Sequence, residues 1–491
     1  MATTSRKWKK FLKGYYSPKI YWWEWATVVA ICLITILSVV YQDTISITVW
    51  STNLWDVIID GKLTDFYKFT TQNIHHVPHD KMGCDLFTII PLSIWNIPIW
   101  IAQRFFGKEI PESGILIAWS KLGLEACNGL VAYLAYKMAM LLTKDKNRSL
   151  WASFLTMSFC GGALGIGIAG QTDVFVIVYT ALSVYSMMKG QKKRSVLFAA
   201  MSVAAKPFFV FAYLPLILLK QKNIFIAALE FILSFSLMGL NRMIGQMFPL
   251  YNESMSSGPS VTVLVNLFGV GIDSFYGQAS LFLIGLLVIY LISYMTNPKS
   301  DQERNEYYLY IVVAVYLLMS VFSKTEFYRF ILTMPFLSVL VVLRSSMLRF
   351  NLFLSFVFQF FVTMCNALGN WNTVSAYFMR GSVVSLFFQP DDMVNERKAA
   401  NIRAVVNAID EKHNFLGFIL YLTTAISIAA VILILVLNFP RYKHKFDMER
   451  LGIFEKYDHG LLLLNGCSFL PFLLAMYIMY FHLSAFFPAA S

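Results

Sequence analysis

The chain is short of charge. Only 14% of its 491 residues are Asp, Glu, Lys or Arg, against about 25% in soluble domains. Hydrophobic residues make up 57%, and a soluble globular fold is thereby excluded. Apolar runs of about 18–25 residues, each long enough to cross a bilayer as a helix, recur from Ala26 onward. Cysteine is scarce as well. The six cysteines (Cys32, Cys84, Cys127, Cys160, Cys365 and Cys467) are scattered, mostly inside apolar runs. No pair has metal spacing, so neither a disulfide framework nor a zinc site is read. No internal repeat of about 20–50 residues is found, and no inverted-repeat pair of the kind many transporters show. The basic, aromatic start MATTSRKWKKFLKGYYSPKIYWWEW leads into an apolar run without a small-residue cleavage site. It reads as a cytoplasmic segment, residues 1–25, before a retained first helix rather than as a signal peptide.

What is present is an all-α integral membrane protein, read as one polytopic domain over 1–491. The net charge of +12 does not point to nucleic acid. Lys and Arg sit in short clusters between apolar runs, as the positive-inside rule requires. Those clusters are Thr143–Arg148, Lys189–Arg194, Lys220–Lys222, Asn297–Arg304, Arg344–Arg349 and Arg441–Lys445. With Arg6, Lys7, Lys9, Lys10, Lys13 and Lys19 they are expected on the cytoplasmic side. Threading the chain through them gives about thirteen crossings, N-terminus inside and C-terminus outside. Two segments must then break. Leu86–Phe106, with Pro91 and Pro98, reads as a re-entrant or membrane-edge piece. Ser195–Leu219 reads as two short helices meeting at Lys206, because Pro207 disfavours α geometry there.

Sorting ionisable residues by side gives an unequal result. The first outer segment, 42–113, holds Asp43, Asp56, Asp60, Asp65, Asp80 and Asp85, with His75, His76 and His79. Asp43 stands where the first helix leaves the membrane. The turn Gly170–Asp173 adds Gln171 and Asp173, expected at the water-facing mouth of a helix. The helix break adds Lys206, and the turn SKTEFYRF adds Lys324, Glu326 and Arg329. The late outer segment, 370–414, is polar and has the composition of an amphipathic helix. Ionisable groups at membrane depth are functional by default. This mixture suits a carboxylate base, acids or histidines on a divalent metal, and Lys or Arg on phosphate. Each residue also has a plainer reading. Asp56, Asp60 and Asp65 suit loop surface and caps. The histidines suit a soluble loop, since Pro78 breaks helical spacing. Glu326 and Arg329 suit a structural i,i+3 pair.

In these residues the chain resembles the C superfamily (GT-C fold) of membrane glycosyltransferases that use polyprenyl-phosphate-linked sugars. The resemblance is an ordered set of short signals over most of the chain. An acid follows the first helix (Asp43). A long outer loop ends in HHVPHD, where the family's Tyr-Pro-Pro or Lys-Pro-Pro element is replaced. GQTD stands at Gly170–Asp173, Lys-Pro at Lys206–Pro207, and KTEFYRFILTMPFL keeps Glu326, Tyr328 and Arg329 while Thr325 replaces a His. The resemblance implies that Asp43 is the general base. Lys206, Arg329 and Lys324 would hold the donor phosphate, and Asp173, Gln171 and Glu326 would position the acceptor. A divalent metal, magnesium or manganese, would sit on Asp173, His76, His79 and Asp80 in the manner of the metal-dependent branches. The implied partners are a polyprenyl-phosphate sugar, a glycan or glycolipid acceptor, and membrane lipid. Plain basic loops fit a bacterial plasma membrane with the site facing outside. Two other functions use the same features: a flippase or transporter of lipid-linked saccharides, and an outer-leaflet polysaccharide polymerase or ligase. The latter would work through Arg380, Arg397, Arg403 and His413 of the late outer segment.

Overall fold

A computed structural model describes residues 19–72, 82–108, 110, 114–256, 266–275, 277–322, 327–344, 347–369, 376–378, 415–441 and 458–468. The described chain is a helical bundle, with strands confined to two short antiparallel pairs. Five helices are long and apolar enough to cross a membrane: Gly114–Thr143, Lys146–Ile168, Ile224–Gly245, Asp301–Phe322 and Gly417–Leu437. A sixth span results if Leu86–Trp95 and Ile97–Phe106, bent by 69° at Asn96, count as one. Shorter apolar helices, among them Trp22–Leu37 and Asp173–Met188, complete the bundle. This is the architecture of an integral membrane protein. Lys146–Ile168 is almost wholly enclosed, whereas Ile224–Gly245 and Gly417–Leu437 leave most of their apolar surface outward. In water that surface would be a liability; in lipid it is the required exterior.

The basic loops meet at one end of the bundle. Arg148 donates to the carbonyl of Leu343, and Arg344 to those of Leu437, Phe439 and Pro440. Arg441 pairs with Glu303 at 3.0 Å, and Gln302 donates to Leu142 O. Asn305 donates to Met188 O, and Lys222 to the carbonyls of Leu218, Tyr294 and Thr296. Most of these acceptors are last-turn carbonyls, which have no intrahelical partner and carry the negative end of the helix dipole. The basic residues therefore close helix C-termini besides marking one face. Asp145 caps the helix that begins there, its carboxylate accepting from the Asn147 and Arg148 amides.

The opposite end carries the described part of 42–113, the segment expected outside. Most of it is helical: Gln42–Ile59, Phe66–Gln72 and the bent pair. Gln42–Ile59 buries Thr44, Ser46, Thr48, Ser51, Thr52 and Asn53. Part of its polar face bonds across helices. Thr48 donates to Ser120 at 2.9 Å, and Asn96 donates to Ser51 at 2.8 Å and Ser120 at 3.0 Å. Small hydroxyl residues let helix backbones approach closely, and their hydrogen bonds replace water. The 30-residue helix Gly114–Thr143 is about 45 Å long. That exceeds a hydrocarbon core of about 30 Å, and its first turns reach this end of the bundle. The strand Val39–Tyr41 pairs with Ala376–Phe378, so the start of the late outer segment meets the chain just ahead of Asp43.

Candidate functional site

The site grows from one helical hairpin. Asp173–Met188 and Lys192–Ala205 run antiparallel and are joined by a turn at Gly190. A hydroxyl seam sets their register. Thr180 and Ser202 share a hydrogen bond of 2.9 Å, Ser183 donates to Ser195 O at 2.8 Å, and Ser202 donates to Val176 O at 3.3 Å. The same register brings the first residue of one helix, Asp173, opposite the residue that follows the other, Lys206. Pro207 holds Lys206 extended, at φ −157° and ψ 140°, as its ring clashes demand of the preceding residue. A 3-10 turn, Pro207–Phe209, then starts the return helix Val210–Lys220. The tip expected at Lys206 is thus present.

At that tip the Lys206 ammonium forms an ion pair with Asp173 Oδ1. The carboxylate is fully enclosed, while 25% of the Lys206 side chain is exposed. Asp173 Oδ2 has no hydrogen-bond partner among the described residues. Asp173 was expected at a water-facing mouth; instead the structure buries it behind its lysine. The first turn of Leu86–Trp95 and the residues just ahead of it lie alongside: Thr88 donates to Ala205 O at 3.0 Å, and Cys84 is in electrostatic reach of Lys206, Asp85, Asp173 and Asp43. Burial pushes the Cys84 thiol up to about 11, although Lys206 opposes the shift. The thiol is therefore neutral at physiological pH and is a poor nucleophile.

Asp43 reaches the same place from the other side. The chain between Cys160 and Asp173 contains a six-residue π-helical stretch, Ala163–Ile168, a local form frequent at functional sites. Two residues past its end stands Gly170, whose φ of +61° favours glycine. A Cβ there would also meet the Thr44 hydroxyl at 2.5 Å. Glycine thus lets the turn lie flat against the start of Gln42–Ile59. Across this contact Gln171 Nε2 donates to Asp43 Oδ2 at 2.5 Å, and Thr44 donates to Ile168 O at 3.4 Å. Gly170 and Gln171 of GQTD thus fit the Asp43 segment, and its aspartate holds Lys206.

Arg329 is buried, with its guanidinium 5.4 Å from the centre of the Phe208 ring, two residues beyond Lys206. Asp85 accepts from the Tyr251 hydroxyl at 2.8 Å. Burial raises the Asp85 carboxyl above its ordinary value, with the Tyr251 bond and the Arg242 charge opposing. Asp56 and Asp60 belong elsewhere. Trp100 donates to Asp56 at 2.8 Å, and Arg104 lies 3.9 Å from Asp56 and 3.7 Å from Asp60. Thirteen positions of helix place Asp56 about 20 Å from Asp43. The polar cavity lined by Asp60, Lys62, Asp65 and Lys68 is at that far end too. His76, His79, Asp80, Lys324 and Glu326 lie outside the described residues, as does 379–414 of the late outer segment.

No family model, curated protein or solved structure matches this chain significantly. The chemistry of the site has to be read from its own side chains. Among the described residues no three of His, Cys, Asp and Glu are grouped to hold a metal ion. Asp173 is engaged by Lys206 and Asp43 by Gln171. What the arrangement offers is a carboxylate oriented by an amide, beside a lysine anchored from behind by an acid. Lysine has three N–H donors, and Asp173 takes one.

Sequence reasoning missed a second buried set. Lys121, Glu125 and Asn128 lie on one face of Gly114–Thr143 and are enclosed. Lys121 Nζ donates to Gly167 O at 2.6 Å and Thr35 O at 3.2 Å, and Asn128 donates to Glu125 at 2.9 Å. The signal was present in the sequence, as charges four apart inside an apolar run.

Proposed function

We propose that this protein is a membrane glycosyltransferase that moves a sugar from a polyprenyl-phosphate donor to a hydroxyl of a cell-envelope glycan or glycolipid. The reading includes the threading of about thirteen crossings, with the basic end cytoplasmic and the Asp43 end outside. One observation carries it. Asp43–Gln171 and Asp173–Lys206 come from distant parts of the chain and are joined by the four-residue GQTD turn. They lie at the end of the bundle opposite the basic loops.

In this reading Asp43 takes the proton from the acceptor hydroxyl, and Gln171 fixes the carboxylate's orientation. The acceptor oxygen bonds to the anomeric carbon as the bond from that carbon to the phosphate oxygen breaks. The electron pair leaves with the polyprenyl phosphate. Lys206 meets the developing charge with N–H groups not used by Asp173, and Arg329 adds a second cation beyond Phe208. Charge-assisted bonds of this kind are strong in a site screened from water. Asp173 acts as the anchor that aims Lys206. The lipid donor accounts for the membrane bulk, since its isoprenoid has to lie in hydrocarbon while its phosphate meets Lys206.

The test is transfer of labelled sugar by purified protein in vesicles containing polyprenyl-phosphate sugars. Wild type should release one polyprenyl phosphate per sugar transferred, and Asp43→Asn should release it about 10²–10⁴ more slowly while folding normally. Movement of intact donor across the bilayer without release would favour the flippase reading. Extension of a lipid-linked polymer would favour the polymerase.

A further inference from the structure

The mechanism above leaves Lys121 unused, although burying a lysine is costly. It is fully enclosed on the helix Gly114–Thr143, 22 positions, or about 33 Å, from that helix's basic end. Its ammonium bonds two backbone carbonyls from different elements. Thr35 O belongs to the last turn of Trp22–Ser38, the helix that delivers Asp43. Gly167 O belongs to the end of the π-helical stretch that delivers Gln171 and Asp173. Both carbonyls stand at helix C-termini, where a cation is favoured by the unpaired oxygens and the dipole alike. The two elements also touch directly, because a Cβ at Gly167 would collide with the Thr35 side chain. The next carbonyl, Ile168 O, is taken by Thr44.

We infer that Lys121 is the positioning residue of this site: one buried ammonium clamps the two helix ends that carry Asp43 and the GQTD turn, and so sets the distance between them. For its catalytic meaning the inference rests on the transferase reading. Its geometric content does not. Lys121 touches no reacting atom and acts through Gly167 and Thr35.

The test is Lys121→Met in lipid nanodiscs, read by hydrogen exchange and by transfer kinetics. Peptides covering Gly165–Thr172 should exchange about tenfold faster, as expected when a local tie is removed, while those in Asp301–Phe322 stay protected. Transfer should lose about 100-fold in kcat, the usual cost of a displacement near 1 Å, with KM within about threefold. Lys121→Arg keeps the cation and should recover most of the exchange protection. If Lys121→Met fails to fold, Lys121→Gln, which keeps a donor for one carbonyl, is read in its place. Unchanged exchange in a folded Met or Gln variant overturns the inference, even where wild type transfers sugar. Loosening of the turn in a protein that transfers no sugar supports the clamp and removes the transferase reading instead.

Discussion

Replacing Lys206 by methionine separates the lysine's structural role from its proposed chemical one. The variant keeps the bulk of the side chain and leaves Asp173 enclosed without its cation. Breaking a buried pair by removing one partner costs about 3–5 kcal/mol. The Asp173 end is fully buried and the Lys206 end 25% exposed, so water relieves part of the penalty and about 3 kcal/mol is expected. Asp173→Asn alone strands an ammonium that water can still reach, at about 1–3 kcal/mol. The double variant removes both charges and should be more stable than Lys206→Met, with a coupling energy of about 2 kcal/mol. The assay is equilibrium unfolding by sodium dodecyl sulfate titration in mixed micelles, with the denaturant slope held constant across the cycle. Additive single effects would refute the pair as a stabilising contact. Transfer adds a second discriminator. The double variant should regain stability without regaining donor use. Return of normal donor affinity in the absence of Lys206 would refute its role as the phosphate ligand.

Other expectations follow from the same geometry. Asp43→Asn should lower transfer by about 10²–10⁴, the usual worth of a general base, with unfolding unchanged; full activity would exclude Asp43. Gly170→Ala places a Cβ against Thr44 at a φ of +61° and should cost about 1–3 kcal/mol, with transfer falling with it; a neutral result would show that the turn does not need glycine. Thr180→Val with Ser202→Ala opens the hydroxyl seam at its shared bond, at about 0.6–1.7 kcal/mol, and should weaken donor use by shifting Lys206 against Asp173. Asp85 supplies a pH test. Its carboxyl is raised in the folded protein, so the folded state binds more protons than the unfolded chain. Its contribution to stability is present below the ordinary value of 3.8 and is lost as pH rises through the folded value. Wild type should therefore lose stability relative to Asp85→Asn as pH climbs from that point, and an opposite slope would contradict the burial of Asp85.

Much of this arrangement was legible in the sequence because covalent geometry dictates it. Pro207 can force a break at Lys206 whatever surrounds it, and Pro98 with Pro91 marks the bent pair. The basic loops could be sorted to one face because each lies between apolar runs. The first outer segment was harder to read. Gln42–Ile59 looks like loop by hydropathy, since Thr44, Ser46, Thr48, Ser51, Thr52 and Asn53 are polar. In the fold those residues are buried, and Thr48 and Ser51 bond Ser120 and Asn96 rather than water, a partnership that spans more than forty positions of chain. Asp173 misled in the opposite direction. Placing it at the mouth of a helix suggested solvent, whereas its burial depends on a lysine 33 positions away. The four-residue spacing of Lys121 and Glu125 was visible, but Lys121 bonds backbone carbonyls of distant elements, which no side-chain motif records.

The measurement closest to the central claim is a density map of the protein bound to a non-reactive polyprenyl phosphosugar in nanodiscs. The account requires the phosphate within hydrogen-bond distance of Lys206 Nζ, the sugar between Lys206 and Asp43, and the isoprenoid running into the bilayer. A phosphate bound instead at the basic end, near Arg344 or Lys222, with nothing beside Lys206, would contradict it.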